Sequence, residues 1–386
     1  MSYLFPTYKR WDVNIEKANG AKVMDTEGKE YIDFTSGIGV CNLGHCHPEV
    51  VNAVNKQTKK VWHVSNLFKI PLQEQVATKL VQETSGDAVF FCNSGAEANE
   101  AAIKLARKFT GKSKIITFEQ SFHGRTLGTM AATGQEKVKV GFGKMLETFI
   151  HVPYNDIDVL KETIDSETAA VMLEVIQGEG GVHPADELFL KEVERLCQSL
   201  DVLLIVDEIQ TGIGRTGKSF AYQHYGIQPD IITVAKGLGN GFPVGAMIGK
   251  KELIPAFTAG SHGSTFGGNP LAMAAANATL NIVFDQSFLK EVEKKGNILV
   301  QQLNEFLPQV KSYKKIKHKG LMIGIEFQQE TTELLSELRE NGLLALNAGP
   351  NVMRLLPPLT ITMTEIHEAT AIMRKVLQKQ IADTAQ

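Results

Sequence analysis

Leu203-Leu204-Ile205-Val206-Asp207-Glu208 and Ile231-Ile232-Thr233-Val234-Ala235-Lys236-Gly237 decide the fold. Each is a short apolar run, rich in β-branched residues, that ends abruptly on a charge. A run with no polar alternation predicts a strand buried on both faces, as in a parallel sheet. The terminal charge predicts a C-terminal tip that opens on a crevice, where open α/β sheets bind their ligands. Asp207 closes the first run, and Lys236 closes the second 29 residues later.

Working outward, similar runs at Val89–Cys92, Lys114–Phe118, Ala169–Ile176 and Val244–Ile248 extend the pattern. Helical periodicity separates most of them, as in Ala96–Phe109 and Glu187–Ser199. Strand and helix in alternation predict an α/β fold, a mostly parallel sheet with helices on both faces. Only Gly237-Leu238-Gly239-Asn240-Gly241-Phe242-Pro243 separates the Lys236 run from Val244. That is too short for a crossover helix, so one strand is expected to run antiparallel.

After Asn269-Pro270 the character changes. Asn269 can cap a helix with Pro270 at its first position, starting the Ala-rich stretch Leu271–Val283. A charged amphipathic helix near Phe288–Leu303 follows, then strands at Leu321–Phe327 and Val352–Leu356. In a last helix Ile366, Ala369, Met373 and Val376 fall at helical spacing, with Thr364 as the expected cap. The N-terminal stretch Ala21–Phe34 reads as a hairpin turned at Asp25-Thr26-Glu27-Gly28. The expected organisation is an N-terminal segment, 1–50, joining the small domain, a large ligand-binding domain, 51–268, and a smaller α+β domain, 269–386.

Composition excludes several classes. The chain has 386 residues, 43% hydrophobic and 22% charged, ordinary for a soluble globular protein. A net charge of −3 gives no electrostatic case for nucleic acid or an anionic membrane. No apolar run approaches the roughly 18 residues of a membrane span, and Met1-Ser2-Tyr3-Leu4-Phe5-Pro6 is no secretory signal. A cytoplasmic protein is expected. Cys41, Cys46, Cys92 and Cys197 include no Cys-x-x-Cys pair, and four cysteines are too few for a disulfide framework. Gly44-His45-Cys46-His47-Pro48 lacks a second half-site and reads as a turn, so no metal is assigned.

Chemistry concentrates at the strand ends. Asn93-Ser94-Gly95-Ala96-Glu97 follows a strand and opens a helix. Ser94 and Glu97 have capping-box spacing, and Gly95 admits close approach to the backbone, which suits a phosphate at the helix start. There is no Lys-Ser/Thr ending for a P-loop and no Gly-x-Gly-x-x-Gly for a dinucleotide. Ser121-Phe122-His123-Gly124-Arg125-Thr126 offers an aromatic to stack on a ring and an arginine to clamp a carboxylate. Glu174 and Glu179 bracket Val175-Ile176-Gln177-Gly178. Paired carboxylates raise a glycosidase reading, but both lie on one segment and the chain lacks the aromatic content of a sugar cleft. Past Asp207, strand alternation puts Ile209 on the same face, and Gln210 joins them only if the strand turns there.

A lysine at a strand end is an ordinary surface feature, and its usual pKa of about 10.4 makes it a poor nucleophile. Burial and nearby positive charge lower that value. An acid, a phosphate-capable helix start, a stacking aromatic and a lysine on successive strand tips match the needs of pyridoxal phosphate, with Asp207 at the pyridinium nitrogen and Lys236 as the imine.

Taken in order, these segments resemble the class III, fold-type I pyridoxal-phosphate aminotransferases, closest to the acetylornithine aminotransferase subgroup. The likeness runs from Asp33-Phe34-Thr35-Ser36-Gly37 and Gly44-His45-Cys46-His47-Pro48 through Val206-Asp207-Glu208-Ile209-Gln210-Thr211-Gly212-Ile213-Gly214-Arg215-Thr216-Gly217. It continues through Ser264-Thr265-Phe266-Gly267-Gly268-Asn269-Pro270 to Met353-Arg354-Leu355-Leu356-Pro357-Pro358. The resemblance implies a seven-stranded sheet and pyridoxal 5'-phosphate as cofactor. It implies that Ser94, Gly95 and Ala96 hold the phosphate, that Phe122 stacks on the ring, and that Gln210 approaches the phenolic oxygen. Glu208 and Ile209 belong to the same cofactor set. Ser264 and Thr265 would cross from a second copy, so a homodimer with shared sites is implied.

The resemblance also gives Arg125 a carboxylate distant from the reacting carbon, and Arg354 the carboxylate beside the keto group of 2-oxoglutarate. Glu179 would mask Arg354 while the ω-amino donor reacts. Where ornithine aminotransferases carry a tyrosine, this chain has Ile38, which disfavours free ornithine and suits an acylated donor. The implied reaction moves the δ-amino group of N2-acetylornithine to 2-oxoglutarate, in arginine biosynthesis. Ornithine, succinylornithine, acetyl-lysine and 4-aminobutyrate are alternative donors. Racemase or aminomutase chemistry, or a non-catalytic binding module, are further alternatives; the module reading is disfavoured because Lys236 and Asp207 are both kept.

Overall fold

The computed structural model describes residues 3–382. The two deciding runs become adjacent parallel strands of a seven-stranded sheet. In chain order its strands are β1 (Ala88–Cys92), β2 (Lys114–Phe118), β3 (Phe149–Val152), β4 (Thr168–Leu173), β5 (Leu203–Asp207), β6 (Ile231–Val234) and β7 (Gly245–Gly249). The spatial order is β1-β7-β6-β5-β4-β2-β3. Only β7 runs against its neighbours, β6 and β1, as the short connection after Lys236 requires.

Both faces are buried, which is why these strands carry no polar alternation. Val171, Leu173, Leu204 and Val206 point into one core with Phe189, Leu190 and Val193 of the helix Glu187–Ser199. Ala170, Met172 and Ile205 point the other way, against Ala101, Ala102 and Leu105 of the helix Gly95–Thr110. Neighbours in one strand thus serve opposite layers. Truncating Ile205 to alanine would cost about 2–5 kcal/mol.

Strand β3 has no counterpart among the strand-like runs of the sequence. It lies at the sheet edge, where only Phe149 and Val152 are buried and Ile150 faces out, so its four residues carry little signal. The run expected over Ala169–Ile176 also breaks. β4 ends at Leu173, and Ile176–Gln177 pairs separately with His183–Pro184. Glu174 therefore sits at a break, and Glu179 lies in the turn that follows.

A second sheet comprises β8 (Tyr313–Lys319), β9 (Met322–Phe327) and β10 (Val352–Leu355), with Leu346–Asn347 at its edge, all antiparallel. Its core takes Leu299 and Leu303 from the helix Gln286–Asn304 and Ile366, Ala369 and Met373 from the helix Met363–Ala382. The N-terminal hairpin, Lys22–Asp25 with Glu30–Asp33, pairs onto Leu343–Leu344. Asp25 Oδ1 fixes its turn by accepting from the amides of Glu27 and Lys29. The helix Pro270–Val283 starts as expected, with Asn269 Oδ1 accepting from Ala272 N at 2.9 Å. Its Met273, Ala276 and Leu280 lie in the core of the large sheet. A boundary at 268 thus leaves this helix with the C-terminal unit by sequence and with the large sheet by packing.

One cap differs from expectation. Thr362, not Thr364, opens the last helix: its Oγ1 accepts from Glu365 N at 3.2 Å, and Glu365 Oε2 accepts from Thr362 N at 2.8 Å. This reciprocal Thr-x-x-Glu pair satisfies two otherwise orphaned groups, which Thr364 cannot do from inside the first turn.

Candidate active site

The parallel register sets Asp207 beside Thr233, so the tips of β5 and β6 open together. β5 stops at Asp207, and the turn beyond it brings Gln210 round to the same cavity as Asp207 and Ile209. Two residues past β6, Lys236 takes φ = +43°, in the left-handed region that bulky L-residues rarely adopt. A side chain on Gly237 would collide with the Asn42 amide, so glycine is what fits while Asn42 keeps its place. Held strain of this kind clusters at functional positions.

Asp207 is almost wholly buried and carries three donors. Its Oδ2 accepts from Asn99 Nδ2 and from the His123 Nδ1 position, both at 2.8 Å, and its Oδ1 accepts from Ile209 N at 3.0 Å. Asn99 is itself fixed, because its Oδ1 accepts from Thr233 Oγ1 at 2.7 Å. This scaffold fixes the carboxylate while Asp207 still lines the cavity.

The cavity has a volume of about 460 Å³. Ser94, Gly95 and Ala96 line it from the helix start, and Phe122 and Arg125 from the loop after β2. Asp207, Ile209, Gln210 and Lys236 line it from the strand tips, with Glu179 alongside. Ser94 Oγ accepts from Glu97 N at 3.2 Å, as the capping-box spacing predicts. The returning Glu97 carboxylate takes Asn93 N at 2.7 Å, one residue before the cap. The amides of Gly95 and Ala96 have no acceptor in their own helix, and the helix dipole adds positive potential there. A Cβ on Gly95 would lie 2.8 Å from Ile209 Cδ1, so glycine lets Ile209 pack this close to the helix start. The Arg125 guanidinium sits 5.7 Å from the centroid of the Phe122 ring, and Arg125 is exposed at the surface.

Arg354 does not line the cavity itself; it reaches it through two side chains that do. Its Nη1 donates to Glu179 Oε1 at 2.6 Å, to Gln210 Oε1 at 3.0 Å and to Gly178 O at 3.0 Å. Arg354 is 2% exposed, whereas the Glu179 side chain is 29% exposed. Burial raises the Glu179 pKa, but the charge and hydrogen bond of Arg354 outweigh it and hold it below the usual range. Burial lowers the Lys236 pKa below that of an ordinary lysine; Glu179 opposes this and Arg354 reinforces it.

Other expected positions lie elsewhere. Glu208 turns away from the cavity, since successive residues of a strand end face opposite sides. Its Oε2 accepts from Thr211 Oγ1 at 2.6 Å and its Oε1 from Tyr222 N at 2.7 Å, so it braces the loop rather than lining the site. Ser264 Oγ accepts from Asn93 Nδ2 and Gly267 N, and Thr265 is exposed outside the cavity of its own chain. Ile38 is 46% exposed and does not line the cavity, although Val40 does. The discrimination argued from Ile38 therefore has no contact within this chain's cavity to rest on.

Three contributors went unassigned in the sequence: His123, Asn99 and the real role of Glu174. Glu174 Oε1 accepts from Phe122 N at 2.9 Å and Oε2 from Gly178 N at 3.1 Å, so it ties the aromatic loop to the turn that carries Glu179. Burial pushes its pKa up to about 7. Glu174 and Glu179 thus do different work, and the glycosidase reading loses its pair. The available signal for His123 was its place beside Phe122; for Asn99 it was a polar residue among alanines in a helix.

A family model for class-III aminotransferases matches residues 5–377. The chain belongs to the class-III aminotransferases. The acetylornithine aminotransferase of Halalkalibacterium halodurans is 63% identical over 379 residues, covering 98% of this chain and 99% of that protein. That of Bacillus subtilis strain 168 is 61% identical, covering 98% of each. Among solved structures, the ornithine aminotransferase of Toxoplasma gondii superposes with a TM-score of 0.94 at 33% identity, covering 100% of this chain and 94% of that one. It is described with partial occupancy of PLP at its active site. The N-acetylornithine aminotransferase of Stenotrophomonas maltophilia K279a gives a TM-score of 0.85 at 36% identity, covering 97% and 98%. Aminotransferases named for different donors thus share this fold, and the donor must be argued from side chains and sequence identity.

Proposed function

We propose that the chain moves the δ-amino group of N2-acetyl-L-ornithine to 2-oxoglutarate, giving N-acetyl-L-glutamate 5-semialdehyde and L-glutamate, in arginine biosynthesis. The observation that carries this reading is the Arg354–Glu179 ion pair beside the cavity that holds Lys236 and Asp207. It supplies a buried cation that one movable acid can mask. Identity of 52–63% to relatives named acetylornithine aminotransferase, over nearly the whole chain, supports the choice of donor.

The residues present fit pyridoxal 5'-phosphate. A glycine-lined helix start suits its phosphate, a fixed carboxylate its ring nitrogen, and an enclosed lysine its aldehyde. When bound, it supplies an electron-accepting ring and stores the amino group between two half-reactions. Gly95 and Ala96 would donate their amides to the phosphate, with Ser94 at the helix start. Phe122 would pack on one ring face, and Asp207, held by Asn99 and His123, would accept from the ring N–H. Lys236, its pKa lowered by burial, is the nucleophile and then carries a proton at the substrate's amine-bearing carbon.

Arg125 holds the α-carboxylate of the acylated donor, while Glu179 keeps Arg354 neutralised against the donor's uncharged stretch. The aldehyde product leaves before 2-oxoglutarate enters, a ping-pong order. Glu179 then releases Arg354 to the carboxylate beside the keto group, and Arg125 takes the far carboxylate. Leu67, Phe68 and Phe266 are 92%, 66% and 58% exposed, an apolar surface that supports a homodimer in which Ser264 and Thr265 reach the partner's site. Four free cysteines support a reducing compartment, the cytoplasm.

Steady-state rates across acetylornithine, ornithine, succinylornithine, acetyl-lysine and 4-aminobutyrate test the donor, and a clear preference for free ornithine would overturn it. Lys236→Ala should abolish turnover; an active variant would refute the role of the lysine.

A further inference from the structure

Gln135 is 7% exposed and borders a second cavity of about 460 Å³ beside the first. Phe122, Arg125 and Glu179 line both, so the two spaces adjoin at these side chains. Hydrogen bonds stitch Gln135 to the loop that presents Phe122 and Arg125. Gln120 N donates to Gly134 O at 2.8 Å, and Gly134 N donates to Ser121 Oγ at 3.0 Å. Gln135 Nε2 then donates to Gln120 O at 3.1 Å and to Ser121 O at 3.2 Å. The opposite orientation would set its carbonyl against two main-chain carbonyls, so the nitrogen is fixed and the oxygen is left over. Among the described residues no donor reaches Oε1, and that oxygen is not sealed from solvent.

We propose that the second cavity is the subsite for the donor's N-acyl group, and that Gln135 determines specificity there by accepting the amide N–H at Oε1. This inference rests on the proposed function and names the part of the donor that the cavity reads. With the δ-amine at Lys236 and the α-carboxylate on Arg125, one heavy-atom substituent of the α-carbon remains, the acylated nitrogen. Arg125 stands where the two cavities adjoin, so that nitrogen and its acyl group lead into the second. An amide brings one uncharged N–H, which a single fixed acceptor satisfies. A free α-ammonium brings three N–H groups and a charge, and it would lose water beside the cations of Arg125 and Lys137. Glu330 at the same rim offsets part of that repulsion, and water screens it, since all three are exposed. The choice of acylated over free donor, for which Ile38 has no contact in this chain's cavity, acquires one in Gln135.

The probe is the ester analogue of acetylornithine, 2-acetoxy-5-aminopentanoate, in which oxygen replaces the amide N–H. Native holoenzyme should prefer the amide by about tenfold in kcat/KM, because the ester sets an oxygen against Gln135 Oε1. The loss should fall on KM and leave kcat near its value for the amide, since the changed atom is far from the reacting carbon. In Gln135→Leu the two donors should react alike. The native comparison uses no variant, so it decides even if the leucine protein folds poorly. Equal handling of amide and ester by native enzyme, or a tenfold preference kept in Gln135→Leu, would overturn the assignment. A native preference for free ornithine over acetylornithine would instead strike the proposed function beneath it.

Discussion

Arg354 and Arg215 are the two largest fully buried side chains of the described residues, and their surroundings differ. Arg215 donates through Nη1 to Leu321 O and Pro357 O and through Nη2 to Asn42 Oδ1. No carboxylate pairs with it among the described residues, and burial pushes its pKa down to about 9. Its acceptors are two main-chain carbonyls and a side-chain amide from three separate segments, none of which can leave without unfolding its surroundings. Arg354 also donates to one main-chain carbonyl, Gly178 O, but its charge partner is Glu179, whose side chain is 29% exposed. A buried cation with fixed acceptors is a strut; under the proposed function, one whose acid detaches is a switch.

The largest effect should come from breaking the switch. Arg354→Leu should lower kcat/KM for 2-oxoglutarate by on the order of a hundredfold or more, from a loss of about 3–5 kcal/mol in carboxylate binding. Its stability in urea should fall by less than that of Arg215→Met, since it gives up one main-chain carbonyl, Gly178 O, and Glu179 can turn to water. Arg215→Met should do the reverse, lowering stability by about 2 kcal/mol as charge-assisted hydrogen bonds to Leu321 O and Pro357 O are lost. The ratio of its rates with different donors should be unchanged. A selective loss of 2-oxoglutarate turnover in Arg215→Met would erase the distinction.

The smallest effect extends the contrast to the two acids of the neighbouring segment. Glu179 has its pKa held low by Arg354, whereas burial raises that of Glu174 from 4.5 to about 7. An acid whose folded pKa lies above its unfolded value makes folding less favourable as pH rises between the two. Glu174→Gln removes that proton. From pH 4.5 to about 7 the stability of the variant should therefore rise relative to native, by on the order of 1 kcal/mol, as read from urea unfolding at each pH. A flat difference across that window would mean that Glu174 is not the group being titrated.

The strut and the switch were unequally legible in the sequence. Asp207 and Lys236 could be read because a doubly buried strand leaves a long apolar run and the charge that ends it stands out. The antiparallel β7 followed from the length of one connection. Strand β3 could not be read, because an edge strand of four residues with Ile150 outward has no pattern to show. Arg354 sits within the apolar stretch Val352–Leu356, a sign of burial but not of its partner; only the resemblance linked it to Glu179. Only the resemblance grouped Glu208 with the site, and its bonds from Thr211 and Tyr222 hold it on the loop instead. The Glu174 contacts are with main-chain amides, which no residue pattern reveals. Ile38 carried the donor argument by alignment alone, and its side chain lies outside the cavity of its own chain.

The measurement that tests the switch most directly follows each half-reaction separately in Glu179→Gln, by rapid mixing and the cofactor's absorbance. The acetylornithine half-reaction should slow by on the order of tenfold or more, because Arg354 then stays charged and unmasked beside an uncharged stretch of donor. The glutamate half-reaction should stay near native. Equal slowing of both would contradict the account and return Glu179 to a purely structural role.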